Sequence, residues 1–129
     1  MWEVVGTGEF TAWYQRLTDE QAGAIDARVE MLVESGPSLG RPTVDSVTGS
    51  NFHNMKELRC SKDGALRILF IFDPLRRAVL LLGGDKSKGS EWAKWYRKAI
   101  PHAEALYIAY LSENDLPLKG NPDHEHYQD

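Results

Sequence analysis

Three short apolar runs occupy the middle of the chain, near residues 55–60, 66–72 and 77–83. Turn-forming sequences separate them: Lys-Asp-Gly at 62–64 and Asp-Pro-Leu-Arg-Arg at 73–77. Apolar runs of this length between turn signals predict β-strands joined as hairpins. The second and third runs are almost continuously apolar, which is typical of strands that are covered on both faces, at least in part.

Two amphipathic helices are predicted ahead of these strands. The first begins at Thr7 or Thr11 and ends near Leu17, with aromatic residues at helical spacing on one face. The second follows Thr18, which opens a Thr-x-x-Gln capping box, and it ends at the Gly-Pro pair at 36–37. The shared amphipathic pattern indicates a helical hairpin.

A third helix is predicted from about Ser90 to Leu111, with Pro101 either kinking it or splitting it in two. The segment 36–54 is rich in glycine and proline and is predicted to be irregular. With a short first strand at 2–5, the element order is β-α-α-β-β-β-α. This order predicts an α+β domain with its helices on one face of a small, mostly antiparallel sheet: the helical hairpin packs on the sheet, and a C-terminal helix follows.

The length of 129 residues suits one domain with one core. We assign residues 1–113 to this domain and 114–129 to an acidic tail that is predicted to be flexible. No run of 18 apolar residues predicts a membrane span, and the acidic N-terminal segment lacks the pattern of a signal peptide. Cys60 alone permits neither an intrachain disulfide nor a multi-cysteine zinc site. We therefore expect a cytoplasmic protein.

Charge is distributed unevenly along the chain, whose net charge is −4. Residues 51–100 contain 11 Lys/Arg and 5 Asp/Glu, a net of +6, whereas residues 1–50 and 101–129 each have a net of −5. A local basic region attracts phosphate groups whatever the overall sign of the charge. The alternative interpretation is that these cations only solubilise the edge of a sheet.

Arg67 is the most informative of these cations because it interrupts an otherwise apolar strand. If the loop before that strand has five residues, Arg59 lies directly opposite Arg67. If residues 63–64 instead form a two-residue turn, Cys60 lies opposite Arg67. Like charges that face each other across strands are destabilising, so the first register requires an anion or screening water between the arginines. The partner of Arg67 is then either an internal carboxylate such as Glu57 or a bound phosphate.

Further cations, Lys86 and Lys88, follow the Gly-Gly pair at 83–84, which is predicted to end the sheet. The spacing of a phosphate-binding P-loop is absent, and neither the carboxylates nor the histidines form a convincing metal site, so we predict no metal and no cofactor. This inventory suits metal-free RNA cleavage. That reaction needs a base near the 2′-oxygen, cations on the phosphate and an acid at the leaving 5′-oxygen.

Four segments in this order and spacing resemble the RelE/HigB superfamily of bacterial toxins, and most closely its HigB-like, phage-derived Gp49-type branch. The resemblance extends from about Trp2 to Leu111. The segments are Met-Lys-Glu-Leu-Arg at 55–59, Gly-x-Leu-Arg-Ile-Leu-Phe-x-Phe at 64–72, Ala-Val-Leu-Leu-Leu-Gly-Gly-Asp-Lys at 78–86 and Ala-Leu-Tyr-Ile-Ala-Tyr-Leu at 105–111.

The resemblance implies a RelE/ParE-like fold and the toxin of a type II toxin–antitoxin system. Such a toxin enters the A site of the 30S ribosomal subunit, cleaves mRNA without a metal, and is neutralised by a cognate helix-turn-helix antitoxin. By position, the resemblance implies that Arg59 and Arg67 contact phosphate and that Lys86 is a further catalytic cation. It places Trp92 or Tyr96 near the position of a functional tyrosine in some relatives, and the RNA-binding candidates are therefore Lys56, Lys88, Trp92 and Tyr96.

Glu57 is a departure from the family pattern, because some relatives have a lysine at this position that helps activate the 2′-hydroxyl. Glu57 then either serves as the base itself or neutralises Arg59. Strand alternation sends Lys56 and Glu57 to opposite faces, so Lys56 does not replace that lysine directly. A C-terminal catalytic histidine of some HigB-type toxins is also missing.

Two other readings remain open at the level of sequence. A ParE-like protein of the same fold inhibits DNA gyrase by binding it, and a catalytically inactive domain only binds a partner protein. The cations Arg59, Arg67 and Lys86 favour the nuclease, since a gyrase inhibitor needs no such cluster. The sequence carries no signal for an oligomeric state.

Overall fold

The computed structural model describes residues 1–87 and 92–118, and of Trp92 the backbone alone. Within these ranges the chain has an α+β fold with a five-stranded sheet and three α-helices. The strands are β1 (Glu3–Gly6), β2 (Val44–Ser46), β3 (Lys56–Cys60), β4 (Leu66–Phe72) and β5 (Arg77–Asp85), and the helices are α1 (Gly8–Tyr14), α2 (Asp19–Ser35) and α3 (Trp92–Glu113).

The sheet is mixed, with the strand order β1-β5-β4-β3-β2. β1 pairs with β5 in parallel, and the other neighbouring strands pair antiparallel. The four predicted strands are therefore confirmed, and so is the mostly antiparallel character of the sheet. The two central strands are the two apolar runs that the sequence marks most clearly.

β2 was not predicted, because it lies within the segment 36–54 that the sequence indicates to be irregular. Among its three residues only Val44 is buried, so no alternating apolar pattern marks the strand. Its pairing with β3 makes it the edge of the sheet.

The prediction that the Gly-Gly pair ends the sheet was also wrong, since β5 continues to Asp85. Glycine is required there because a Cβ at Gly83 would overlap Trp13, and one at Gly84 would overlap Trp95.

The ends of the two N-terminal helices follow from their capping residues. Thr7 caps α1, which ends at Tyr14, and Thr18 caps α2 with the predicted capping box. In that box Gln21 N donates to the Thr18 hydroxyl and Thr18 N donates to the Gln21 side chain, which satisfies two backbone donors that a helix end leaves unpaired. α3 continues through Pro101 as one helix, so of the two alternatives at this proline, a kink or a split, the split does not occur.

The helices cover both faces of the sheet, which corrects the prediction of helices on one face. Residues of α1 and α2, such as Ile25 and Leu32, pack with Leu58, Ile68 and Phe70 on the first face. Residues of α3 pack on the second face in a separate apolar cluster; these are Ala99, Ile100, Ala103, Tyr107 and Leu111, which pack with Leu69, Ile71, Val79 and Leu81. This two-sided packing confirms that β4 and β5 are apolar because both of their faces are covered.

A β-bulge interrupts the pairing of β4 with β5. Leu69 pairs with Leu82, whereas the next residue, Phe70, pairs with Leu80, so β5 has one extra residue at Leu81. Before the bulge Leu80 packs on the α1/α2 face, and beyond it Gly84 lies against Trp95 of α3. Even-numbered residues of β5 therefore change faces at the bulge, as an extra residue requires.

The segment that follows α3, as far as residue 118, stays in contact with the end of the helix. Leu116 N donates to Leu111 O over 2.8 Å, and Leu116 packs against the α3 cluster. The remainder of the predicted acidic tail, 119–129, lies outside the described residues. None of the helices in residues 1–87 and 92–118 combines the length and apolar character needed to cross a membrane.

Candidate active site

Arg59 and Arg67 lie directly opposite each other across β3 and β4, as the five-residue loop predicted. Both belong to the sheet face that α3 covers, because they alternate with residues of the α1/α2 cluster. Arg67 is only 6 % exposed, and its Nη1 donates to Leu66 O over 2.9 Å. Its buried Nε has no hydrogen bond among the described residues. A guanidinium so placed retains donor capacity for an anion.

The carboxylate between the two arginines is that of Glu57. Its Oε2 lies 3.7 Å from Arg59 Nε and its Oε1 lies 3.9 Å from Arg67 Nε. These separations are too long for hydrogen bonds, so the contacts are electrostatic. Of the two partners that the sequence left open for Arg67, the internal carboxylate Glu57 is therefore present.

Tyr96 of α3 reaches the same carboxylate. Its phenolic OH donates to Glu57 Oε1 over 2.6 Å. Burial, and then the hydrogen bond to Glu57, raises the pKa of Tyr96 to about 12. The phenol consequently keeps its proton at neutral pH and acts as a donor.

Lys86 completes the cluster from the end of β5. Its Nζ donates to Tyr96 OH over 3.4 Å and lies 5.3 Å from the centre of the Tyr96 ring. The bulge in β5 gives Lys86 this direction. Burial, and then the nearby Arg67 cation, lowers the pKa of Lys86 below its usual value. Lys86 is thus held in a positive environment that a bound anion would relieve.

A cleft of ≈ 320 Å³ opens onto the cluster from the side of α3. Glu57 and Tyr96 line its floor, and Ala93 lines the α3 side. The opposite wall is the start of the segment between β2 and β3, with Ser46, Val47 and Thr48. Glu104 on α3 holds a later part of that segment, because its carboxylate accepts from Ser50 Oγ and Asn51 N.

Two carboxylate–arginine contacts at the sheet edge were not predicted. Asp45 of β2 lies opposite Glu57 in the sheet, and its Oδ2 lies 3.8 Å from Arg59 Nη1 and 3.4 Å from Arg41 Nε. Asp45 lies in the segment that the sequence predicted to be irregular, so its proximity to Arg59 had no sequence signal.

The structure brings Arg59, Arg67, Lys86, Glu57 and Tyr96 together, but not Lys56. That residue points to the other face of β3 and lines a separate cleft with Ser46 and Leu39. Lys88 and the side chain of Trp92 lie outside the described residues, so their predicted RNA contacts stay predictions.

The cluster combines three formal cations with one carboxylate and one phenol. Such a set can bind a phosphate and transfer protons next to it. Over residues 1–87 and 92–118, no group of three or more His, Cys, Asp or Glu side chains is arranged to hold a metal ion.

The structure is that of a small α+β domain with three cations, a carboxylate and a phenol clustered at one end of its sheet. The chain belongs to the family described as phage-derived Gp49-like protein, whose model matches residues 12–108. It is 47% identical over 92 residues to the protein named "Putative toxin HigB3" of Mycobacterium tuberculosis (strain ATCC 25618 / H37Rv), which is 71% of this chain and 78% of the relative. It is 41% identical over 105 residues to "Putative toxin HigB2" of the same strain, which is 80% of this chain and 51% of the relative. The match therefore covers about half the length of HigB2, and the resemblance to the HigB-like, Gp49-type branch is confirmed.

Proposed function

We propose that this protein is the toxin of a toxin–antitoxin system and that it is an endoribonuclease which cleaves mRNA on the ribosome without a metal. The observation that carries the proposal is the Glu57 carboxylate, which lies within a cluster of three cations and accepts a hydrogen bond from Tyr96. The names of the two mycobacterial relatives support the toxin assignment.

In this proposal the cations bind the scissile phosphate. Neither arginine makes a hydrogen bond to Glu57, and the Nε of Arg67 has no other hydrogen bond among the described residues, so this donor can serve a phosphate oxygen. As the 2′-oxygen attacks, negative charge accumulates on the pentavalent phosphorus, and fixed cations stabilise this charge more than that of the ground state. Lys86 adds a third cation beside the phenol of Tyr96.

The proton transfers are assigned to Glu57 and Tyr96. Glu57 accepts the proton of the 2′-hydroxyl, and Tyr96 gives its proton to the leaving 5′-oxygen, so that the products are a 2′,3′-cyclic phosphate and a 5′-hydroxyl. Lys86 then stabilises the resulting phenolate. The hydrogen bond between Tyr96 OH and Glu57 Oε1 offers the direct route by which the proton returns from Glu57 to the phenolate and restores the enzyme.

The proposed partners are mRNA in the A site of the 30S subunit and a cognate helix-turn-helix antitoxin, both in the cytoplasm. The cleft over Glu57 and Tyr96 is small, with a volume of ≈ 320 Å³. It suits an exposed single strand such as a codon on the ribosome.

Expression of the protein in growing bacteria tests this proposal. We expect growth arrest and new 5′ ends in translated mRNA by primer extension, and loss of both in the double variant Arg67→Gln, Lys86→Gln. The matched control is Lys98→Gln, which removes an exposed cation from α3 and should leave cleavage unchanged. Growth arrest with broken DNA and intact mRNA would contradict the nuclease and indicate gyrase inhibition instead.

A further inference from the structure

A second cleft, of ≈ 360 Å³, lies at the end of β3. It shares Arg59 and Arg67 with the candidate active site and adds Arg28 of α2. Its remaining walls are polar or neutral and contain no carboxylate; they are formed by Pro42, Thr43 and Ser61. Three arginines therefore line one polar depression, and two of them, Arg59 and Arg67, also contact the Glu57 carboxylate of the candidate active site.

The guanidinium of Arg28 is held in place by its own hydrogen bonds. Nε donates to Arg59 O over 3.1 Å, and Nη1 donates to Ala24 O over 3.3 Å. Arg28 makes no ion pair within the described part of the chain, and Nη2 makes no hydrogen bond there. By contrast, Arg59 and Arg67 each contact Glu57. Arg28 is thus the fixed, uncompensated cation of this cleft.

We propose that this cleft is a second phosphate-binding subsite, which takes the RNA phosphodiester adjacent to the scissile one, with Arg28 as its specific ligand. The inference rests on the proposed nuclease function and extends it to a residue of α2. Guanidinium groups bind phosphate oxygens in a bidentate manner, and the hydroxyls of Thr43 and Ser61 offer further donors.

The geometry of β3 favours the substrate strand as the source of this phosphate. Arg59 belongs to both sites: its Nε lies 3.7 Å from the Glu57 carboxylate in the candidate active site, and it lines the second cleft together with Arg28. A single strand whose scissile phosphate lies at Arg59 therefore passes the second cleft with its neighbouring phosphate.

Fluorescence anisotropy with a short single-stranded RNA, made uncleavable by 2′-deoxy substitution at the scissile position, tests the subsite. We expect Arg28→Gln to weaken binding about tenfold and to reduce the salt dependence by about 0.7, the value for one phosphate contact on a single strand. Arg28→Lys should retain the salt dependence because it keeps the charge. Arg16→Gln removes an exposed arginine from the turn after α1 and is the control for net charge. Equal binding by the Arg28→Gln and Arg16→Gln variants would overturn the subsite and leave the nuclease proposal intact.

A second measurement separates the two proposals if the wild-type protein does not bind this RNA. Titration with inorganic phosphate, followed by amide NMR, should shift Thr43 and Ser61 in the wild type and not in Arg28→Gln. Such shifts without RNA binding would retain a phosphate site at Arg28 but overturn the substrate strand as its source, and absence of both would overturn the subsite. In either case the primer-extension result decides the nuclease separately, because cleavage is proposed to occur on the ribosome.

Discussion

The phenolic oxygen of Tyr96 lies 2.6 Å from Oε1 of Glu57, although the two residues are separated by 39 positions and belong to a helix and a strand. This hydrogen bond ties α3 to β3 at the floor of the cleft. It also joins the two groups to which the proton transfers are assigned in the proposed reaction.

The first prediction concerns Glu57 as the base. Glu57→Gln keeps the shape of the side chain but cannot accept the 2′-hydroxyl proton, so we expect cleavage to fall by about 10²- to 10⁴-fold, the usual contribution of a general base. RNA binding should not weaken, because the substitution removes a negative charge beside the phosphate. Single-turnover cleavage and anisotropy binding measured on the same variant separate these effects. A variant that loses binding and cleavage in equal proportion would argue against the role of Glu57 as base.

The same substitution makes a prediction about stability. Without the Glu57 carboxylate, Arg59 and Arg67 face each other with no anion between them, and we expect a loss of about 2 kcal/mol in the free energy of unfolding. Sulfate should restore more stability to Glu57→Gln than to the wild type, because it can replace the missing anion. Urea unfolding in sulfate and in chloride at equal ionic strength measures the difference.

The lowered pKa of Lys86 leads to a prediction about activity at alkaline pH. Its folded pKa lies below the usual 10.5, so the cation that we propose as a phosphate contact is lost at lower pH than that of an exposed lysine. Activity should therefore decline as pH rises toward that lowered pKa. Lys86→Arg keeps its charge throughout, so its profile should be flatter over pH 7 to 9.5. Identical profiles for wild type and Lys86→Arg would remove Lys86 from the phosphate site.

Tyr96 predicts a loss of stability at alkaline pH. The pKa of Tyr96 is about 12 in the folded protein, whereas the ordinary pKa of a tyrosine is 10.0. Between these two values the folded state therefore binds more protons than the unfolded state. The free energy of unfolding should then fall as pH rises from about 10 to 12, by about 1 kcal/mol for this partly exposed group. Tyr96→Phe should lose less stability over that range, and its cleavage should fall about 100-fold at neutral pH. Urea unfolding at pH 9 and 11.5 checks the first effect.

Gly84 tests the contact between β5 and α3. A Cβ at this position would overlap the Trp95 ring, so Gly84→Ala should cost about 1–3 kcal/mol of stability and displace the helix that carries Tyr96. The matched control is Gly23→Ala in α2, where nothing lies within 4 Å of the added Cβ. That control should be as stable as the wild type or up to about 1 kcal/mol more stable. Thermal unfolding of both variants gives the comparison.

The register of Arg59 against Arg67 could be predicted because one short loop joins their strands, so counting its residues sets the pairing. The strand alternation that separates Lys56 from Glu57 is equally local. Other features depend on elements that lie far apart in the chain. Asp45 approaches Arg59 through a three-residue strand with one buried residue, and Arg28 approaches it from a helix whose pattern only indicates an amphipathic face. Such approaches arise from tertiary packing and leave no spacing in the sequence.

Because of the bulge in β5, deletion of a single residue would change which face of the sheet Lys86 occupies. Loss of a single codon at Leu81 would leave the composition of the strand almost unchanged, yet it would restore simple alternation and turn Lys86 toward α1 and α2. Gly83 would then face Trp95 and Gly84 would face Trp13, and a glycine would still lie against each tryptophan ring. A lineage could in this way lose the phosphate site while keeping its hydrophobic core. Within the family, we expect the length of this strand to separate members that keep the proposed phosphate site from members that have lost it.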